Sequence, residues 1–145
     1  MFWEDFLFYF SHRTLHHPKI YKIVHKMHHE NYNTININCI YAHPLEFVFG
    51  NMLPMFAGFF ILGPNIHYVS YFVWVTYRLV ETHEAHGGYE LPISVFKANP
   101  FGPDANYHNF HHLKNIGNYS SFFTLWDDFF KTNNYYFKKY LGVGN

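Results

Sequence analysis

The stretch "HKMHH", residues 25–29, decides the fold expected for this chain, and its pattern H-x-x-H-H returns as "HNFHH" at residues 108–112. On a helix, positions i, i+3 and i+4 lie within about 100° of one another, because each residue turns the chain by about 100°. We therefore predict that each stretch is helical and projects three imidazoles from one face. A third stretch, "HRTLH", places two more histidines one turn apart, at His12 and His16.

The eight histidines of these three stretches form a metal-binding set by their ligand chemistry. Imidazole is the commonest neutral metal ligand, and one tetrahedral zinc site needs only four ligands. Eight imidazoles with few carboxylates beside them favour two metal ions with open positions, in a pocket that suits iron, zinc or copper. The predicted ligands are His12, His16, His25, His28, His29, His108, His111 and His112.

The other histidines of the chain have more varied expected roles. His17 and His67 are expected to be structural, and His43 is open between orienting a metal ligand and a structural role. His83 and His86 lie near the far end of an apolar region, where the residue pattern allows either to complete a metal shell. Acidic side chains can orient ligand imidazoles, and the two candidates are Glu84 and Asp104.

Composition and length indicate one domain and exclude several classes of protein. The chain has 145 residues, enough for one domain with a modest core, and we treat residues 1–145 as a single domain. Formal net charge is zero with neutral histidine, so no nucleic-acid surface driven by charge is expected. Charged residues make up 14%, against about 25% in a typical soluble protein. The single cysteine, Cys39, excludes an internal disulfide and a cysteine-rich zinc site.

The pattern of apolar residues predicts an all-α protein. Residues 2–16 are dense in apolar side chains without proline or glycine, and Pro18 is expected to end or kink this helix. Residues 19–30 and 120–131 have the periodicity of amphipathic helices. The polar stretch 31–39, which directly follows the first of these two helices, is predicted to be a loop.

Two apolar runs in the middle of the chain predict a helical hairpin at about residues 45–80. Residues 45–63 approach the length of about 20 residues that spans a bilayer, and residues 66–80 form a second, shorter run. The sequence Gly-Pro-Asn at 63–65 is a turn signal between them. We favour a hairpin in the membrane, because both runs are flanked by aromatic residues. The alternative is a pair of buried helices in a soluble bundle.

Four motifs together resemble the fatty acid hydroxylase superfamily, and within it most closely the C-4 methylsterol monooxygenases. They are "HRTLHHPKIYKIVHKMHHE", "YAHPLE", "RLVETHEAHGGYELP" and "NYHNFHH…IGNYSSFFTLWDDFF". The resemblance runs from about residue 3 to residue 133. The phrases "AHPLE" and "AHxGY…P" distinguish this branch from C-5 sterol desaturases and sphingolipid hydroxylases, which share the histidine boxes.

The resemblance implies an integral membrane helical protein of the endoplasmic reticulum, multi-pass, with a cytosol-facing, histidine-rich di-metal helical domain. It implies a non-haem di-iron enzyme that uses dioxygen and electrons from NAD(P)H, delivered through cytochrome b5 and its reductase. The substrate it implies is a sterol, whose 4-methyl group is oxidised through alcohol and aldehyde to the acid. It adds His86 to the eight box histidines as a ligand and leaves out His83, which stands where the family usually has an apolar residue.

The chain departs from the family pattern at several places. Asn109 stands where the family usually has Asp, and Tyr107 where many members have another histidine. The chain is expected to lack the membrane helices that family members carry before the first histidine box. Two other functions therefore stay open: hydroxylation or desaturation of a fatty acyl or sphingolipid chain, and metal binding without catalysis by a membrane fragment.

Overall fold

The structure is a computed structural model that describes residues 1–94, 99 and 101–133. These residues form helices and connecting segments without a β-strand, so the helical class predicted from the sequence is confirmed for them. The α-helices are α1 (Phe2–Leu15), α2 (Pro18–Ile20), α3 (Pro44–Glu46), α4 (Leu53–Leu62), α5 (Tyr68–Ala85), α6 (Ala105–Lys114) and α7 (Leu125–Phe129).

The second predicted helix, at 19–30, is broken into three kinds of helical turn. After α2, the chain continues as a π-helix over Tyr21–His25, and a 3-10 turn follows at His28–Glu30. The backbone N–H of Lys26 donates to the Tyr21 carbonyl, 2.8 Å away, which is the i to i+5 bond of a π turn. Each change of helical pitch rotates the following side chains, so the histidines here do not follow the ideal 100° spacing.

Two further predictions from the sequence are corrected. Residues Asn36–Ile40, within and just after the predicted loop, form a 3-10 helix. The amphipathic helix predicted over 120–131 is limited to α7, because side-chain carboxylates bind the preceding backbone N–H groups and hold that segment in a non-helical form. Asp127 accepts from the N–H groups of Tyr119 and Ser120, and Asp5 from that of Phe122.

A continuous helix over Pro44–Leu62 is long and apolar enough to cross a membrane by length and composition. It comprises α3, a π-helical stretch at Phe47–Met52, and α4, and the π turns lie just before Pro54, whose ring cannot fit an unperturbed α-helix. Only 22% of the apolar stretch is buried, whereas the core helix of a soluble protein is mostly buried. Most of the apolar surface of this helix is therefore exposed.

The helix α5 returns alongside α4, after a 3-10 turn at Gly63–Asn65. The Trp74 indole N–H donates to the Met55 carbonyl at 3.1 Å, and the Tyr71 ring lies 5.0 Å from that of Phe59. These contacts join the two apolar runs into the expected hairpin of helices.

The helix α1 packs against this hairpin on one side and against the segment around α7 on the other. A Cβ added at Gly50 would lie 3.1 Å from the Leu15 side chain, so glycine permits the close approach of α1 to the long helix. On the other side the Tyr9 ring stacks on Phe130, and its hydroxyl contacts Thr132 at 2.8 Å. The core between these elements is rich in histidine and carboxylate side chains, which makes it a site rather than a purely apolar core.

Candidate metal centre

Nine histidines converge inside the protein in two clusters, and within each the candidate ligand nitrogens lie within 4.8 Å of one another. The first cluster consists of His12, His16, His25, His29 and His111. The second cluster consists of His28, His86, His108 and His112. These are the nine residues that the sequence and the family resemblance indicated as ligands, now placed together. Metal ligation by them stays a prediction.

Each H-x-x-H-H stretch is divided between the two clusters. In the stretch 25–29, the pair one turn apart enters the first cluster, and His28 enters the second. In the stretch 108–112 the outer pair enters the second cluster, and His111 crosses to the first. The two stretches therefore exchange one imidazole each, and neither stretch forms a site by itself. The helix α1 completes the first cluster, and the end of α5 completes the second.

In the first cluster, four Nε2 atoms form a closed ring of contacts. The distances between successive Nε2 atoms range from 3.0 to 3.2 Å. In order around the ring, the residues are His16, His25, His29 and His111. Four nitrogens of one kind, all directed at a common centre, are the arrangement that a bound cation requires.

In the second cluster the Nε2 atoms form an open chain. His86 lies between His28 and His108, at 3.3 and 3.0 Å, and His108 continues to His112 at 3.2 Å. All four residues are buried. The cluster therefore offers four imidazoles from three separate parts of the chain.

Backbone carbonyls fix the tautomer of several cluster imidazoles. A carbonyl oxygen only accepts, so an Nδ1 atom in contact with one carries the proton and its Nε2 presents a lone pair. Four such contacts of 2.6 to 3.2 Å are present. The pairs are His12 with Tyr119, His28 with Tyr41, His86 with Thr82, and His111 with Gly117. The Nε2 lone pairs of His28 and His86 thus face each other at 3.3 Å and repel one another, and a cation between them removes that repulsion. The donor set thus fits a metal.

At one further imidazole, a carboxyl group rather than a carbonyl contacts the Nδ1 atom. Glu46 Oε1 lies 2.8 Å from His25 Nδ1, and both side chains are buried. Glu46 belongs to the "AHPLE" phrase, but its carboxylate did not stand out in the sequence as a partner for an imidazole. Of the two predicted orienting carboxylates, Asp104 instead caps α6 by accepting from the Tyr107 N–H at 2.7 Å. Glu84 is buried on α5, and an orienting role for it stays a prediction.

Burial keeps the cluster imidazoles neutral. Desolvation lowers the pKa of His28 to about 4, and that of His86 and His111 to about 3. It also lowers the pKa of the other six, where neighbouring imidazoles add to the effect. Neutral imidazole is the form that binds a metal, so the site is prepared for a cation at neutral pH.

The remaining histidines lie outside both clusters. His17, His43 and His67 each precede a helix, and their Nδ1 atoms accept from the backbone N–H two residues later at 3.2 to 3.4 Å. This capping role accounts for the two histidines expected to be structural, and it assigns His43, whose role was open. His83 contacts the Leu79 carbonyl at 2.7 Å, one turn earlier in α5.

The two departures from the family pattern have structural partners of their own. Tyr107 is buried, and its hydroxyl donates to Asp127 Oδ2 at 2.9 Å. Asn109 Oδ1 accepts from the backbone N–H of Thr34 at 3.3 Å and from its hydroxyl at 3.1 Å. Neither side chain belongs to a cluster, so these substitutions leave the nine imidazoles in place.

Comparison of the sequence with known proteins identifies its relatives. The sequence model of the family "Fatty acid hydroxylase" matches residues 1–132. Methylsterol monooxygenase 1 of Danio rerio is 43% identical over 94% of this chain and 46% of its own length. That of Rattus norvegicus is 45% identical over 90% of this chain and 43% of its own length. Fatty acid hydroxylase domain-containing protein 2 of Homo sapiens is 40% identical over 77% of this chain and 30% of its own length.

The chain spans less than half the length of the methylsterol monooxygenases that it matches. No solved structure matches it. The match to the family nevertheless covers the helices and connections that supply all nine clustered histidines. The resemblance inferred from the four sequence motifs is confirmed, and the chain belongs to the fatty acid hydroxylase family.

Proposed function

We propose that the protein is a non-haem di-iron monooxygenase that oxidises a 4-methyl group of a sterol, with dioxygen and with electrons from NAD(P)H delivered through cytochrome b5 and its reductase. The observation that carries this proposal is the pair of buried clusters with nine convergent imidazoles. Relatives named methylsterol monooxygenase, at 43 to 45% identity, support the sterol as substrate.

Nine imidazoles exceed what a single ion takes, so the proposal assigns one ion to each cluster. Two bound irons would supply the reductive activation of dioxygen that an unactivated C–H bond requires. The protein orients the imidazoles through the carbonyls and Glu46 that contact their Nδ1 atoms, and it excludes bulk water by burying them.

An apolar cavity, which none of the nine clustered histidines lines, is consistent with a lipid as the class of substrate. About 650 Å³ in volume, it lies between the start of α1 and the hairpin. Pockets for small ligands usually have 300 to 1,000 Å³ and apolar walls. Five of the apolar side chains that line it are Phe2, Trp3, Phe59, Leu62 and Trp74.

We further propose that the hairpin at about 45–80 lies in the endoplasmic reticulum membrane, as part of a multi-pass protein whose clusters face the cytosol. The long helix Pro44–Leu62 supports one crossing. On both arms large apolar side chains are more than 60% exposed, as a lipid-facing surface would be. Among them are Phe60, Phe72 and Val73.

The test is metal loading followed by product analysis. The full chain is loaded with iron without oxygen, then supplied with a 4-methyl sterol, NADH, cytochrome b5 and its reductase in membranes. We expect about two irons per chain, and sterol products with the methyl oxidised to alcohol, aldehyde and acid. Metal binding without oxygen uptake or product would contradict the proposal and favour the non-catalytic alternative. A zinc-loaded sample is the matched control.

A second candidate keeps the metal centre and changes the substrate to a fatty acyl or sphingolipid chain. The observation in its favour is the human relative named fatty acid hydroxylase domain-containing protein 2, at 40% identity. Mass spectrometry of products from a mixture of sterol, fatty acyl and sphingolipid substrates decides between them. A new hydroxyl or double bond on an acyl chain, with the sterol unchanged, would replace the first proposal by this one.

A further inference from the structure

A group of charged side chains is buried between α1, α5 and the segment before α7. Glu4, Asp5, Arg78 and Glu81 are between 0 and 6% exposed. Arg78 connects the elements: its Nη2 lies 2.8 Å from Glu4 Oε1 and donates to the Ser121 hydroxyl at 2.9 Å, and its Nη1 pairs with Glu81. We call Glu4, Asp5, Arg78 and Glu81 the buried charged group.

The buried charged group contains three carboxyls and one guanidinium, so it has a surplus of acid. Two excess negative charges away from water are costly, and binding a proton relieves that cost. Two carboxyl oxygens, Glu4 Oε2 and Asp5 Oδ2, are buried and have no hydrogen-bond partner in the part of the chain that the structure describes. Burial raises the pKa of Asp5 to about 7, and the neighbouring charge of Glu4 adds to this. Burial and the surplus of acid therefore favour a bound proton in the group near neutral pH.

Glu81 connects this group to the metal centre. It lines a small cavity of about 30 Å³, which His28, His86 and His108 of the second cluster also line. One water needs about 10 to 15 Å³ of such volume, so the cavity has room for about two water molecules. Its other polar walls include Ser121, which contacts Arg78, so the cavity gives a short polar connection from Glu81 to the second cluster.

From this geometry we infer that Glu81 is the proton donor of the oxygenase and passes protons from the buried charged group into the cavity beside the second cluster. The inference rests on the proposed function. Oxidation of a methyl group follows R–CH3 + O2 + 2 e⁻ + 2 H⁺ → R–CH2OH + H2O. One C–H bond becomes C–O–H, and the second oxygen atom leaves as water. The one-electron carrier supplies the two electrons, and Glu81 supplies the two protons in succession, with solvent refilling the group.

Several titratable groups surround Glu81 and enter any pH dependence. Arg78 and the carboxylates of α1 face it within the group, and the cavity walls add an acid at the start of α6 and a thiol. The full set is Glu4, Asp5, Tyr77, Arg78, Cys39, Asp104, His28, His86 and His108. A purely structural role, in which Glu81 only joins Arg78 to hold α1 against α5, is the alternative to exclude.

The first experiment measures the proton directly, in the full chain without metal. Infrared difference spectra at neutral pH, in H2O and D2O, report protonated carboxyl groups through their C=O stretch. We expect such a band in the unmodified protein and a band weaker by one carboxyl in Glu81→Gln. The coupled carboxyls share their protons, and burial limits the net charge of the group, so the loss of one acid is expected to release one proton. The control is Asp128→Asn, which removes an exposed carboxylate outside the group and should leave the band unchanged.

The second experiment measures iron content, product and the pH profile of the iron-loaded full chain. In Glu81→Gln we expect unchanged iron and at least tenfold slower product formation, because a positioned proton donor typically contributes 10² to 10⁴. Peroxide should be released instead of water, and the alkaline limb of the pH profile, where the donor loses its proton, should disappear. Glu81→Asp keeps an ionisable group, so it should keep the carboxyl band and show intermediate turnover. This variant takes the place of Glu81→Gln if the latter does not fold.

These outcomes separate the inference from the proposed function. A missing carboxyl band in the unmodified protein, or normal turnover in Glu81→Gln, overturns the inference. Slow turnover with the unmodified pH profile and no peroxide overturns it too, since that result indicates a structural role. If the unmodified protein shows the carboxyl band but does not oxidise the sterol, the proposed function is overturned, and with it the role of Glu81 as proton donor. The bound proton in the buried charged group would still be established.

Discussion

His28 and His29 are neighbours in the chain, yet their imidazoles belong to different clusters. Their ring centroids lie 5.6 Å apart, and the rings are almost perpendicular, at 88°. His28 Nε2 contacts that of His86, whereas His29 Nε2 contacts those of His25 and His111. One peptide unit in the 3-10 turn at His28–Glu30 therefore links the two clusters directly.

This division predicts that each single histidine variant loses the metal ion of one cluster and keeps that of the other. His28→Ala should lose the metal of the second cluster, and His111→Ala that of the first, so each variant should fall from about two irons per chain to about one. Both should lose turnover, because the proposed reaction needs both ions. Metal analysis by mass spectrometry measures the first effect, and product analysis the second.

The matched control for these variants is His67→Asn, which changes an exposed histidine to another capping residue. It should keep both irons. Full iron content in both His28→Ala and His111→Ala would show that these residues are not ligands.

The contact between Glu46 and His25 predicts a change in metal affinity without loss of a ligand. Glu46→Gln replaces the carboxyl group that faces His25 Nδ1 at 2.8 Å by an amide. Partners of this kind typically change metal affinity by about 10- to 100-fold. We expect a loss of that size at the first cluster only, measured by competition with a chelator. An equal loss at both clusters would indicate a general loss of structure, and Glu90→Gln should cause neither.

Variants of Asn109 test whether this departure from the family pattern contributes to the stability of the fold. Its Oδ1 accepts two hydrogen bonds from Thr34. Asn109→Ala should lower the free energy of unfolding by about 1 to 3 kcal/mol, because the Thr34 donors lose their partner. Asn109→Asp keeps an acceptor there and should be close to neutral. Thermal unfolding in detergent measures both, and equal stability of the three proteins would contradict the structural role.

The raised pKa of Asp5 predicts a distinct pH dependence of stability. The folded protein holds the Asp5 proton up to about pH 7, whereas the unfolded chain releases it near 3.8. Stability from this group is therefore complete below pH 3.8 and is lost as pH rises to about 7, by at most about 1.4 kcal/mol per pH unit. Asp5→Asn removes this dependence and can still accept from the Phe122 N–H.

The comparison to make is the difference in unfolding free energy between Asp5→Asn and the unmodified protein. It should rise in favour of the variant from pH 4 to 7 and then stay constant. A difference that does not change with pH would show that Asp5 is ionised throughout. Taking the difference cancels the opposite trend of the histidines, whose lowered pKa values reduce stability as pH falls below 6.5.

Some features of the site followed from local pattern alone. Spacing identified eight of the nine clustered histidines, because side chains three and four residues apart share a helix face wherever the chain is helical. His86 required the family resemblance, since the residue pattern allowed either His86 or His83, three residues earlier, to complete a metal shell. The contact of Glu46 with His25 joins positions twenty-one residues apart, and no local pattern indicates such a pair.

The amino-acid sequence by itself determined the helical class, the apolar hairpin, the ligand chemistry and the family, because these depend on residue type and on short spacing. Only the tertiary structure decided which histidine belongs to which cluster. The π turn at Tyr21–His25 and the 3-10 turn at His28–Glu30 rotate the side chains away from ideal spacing, and α1, α5 and α6 then bring together histidines up to about a hundred residues apart. The buried charged group has the same origin, since it exists only where α1 packs against α5 and withdraws their acids from water.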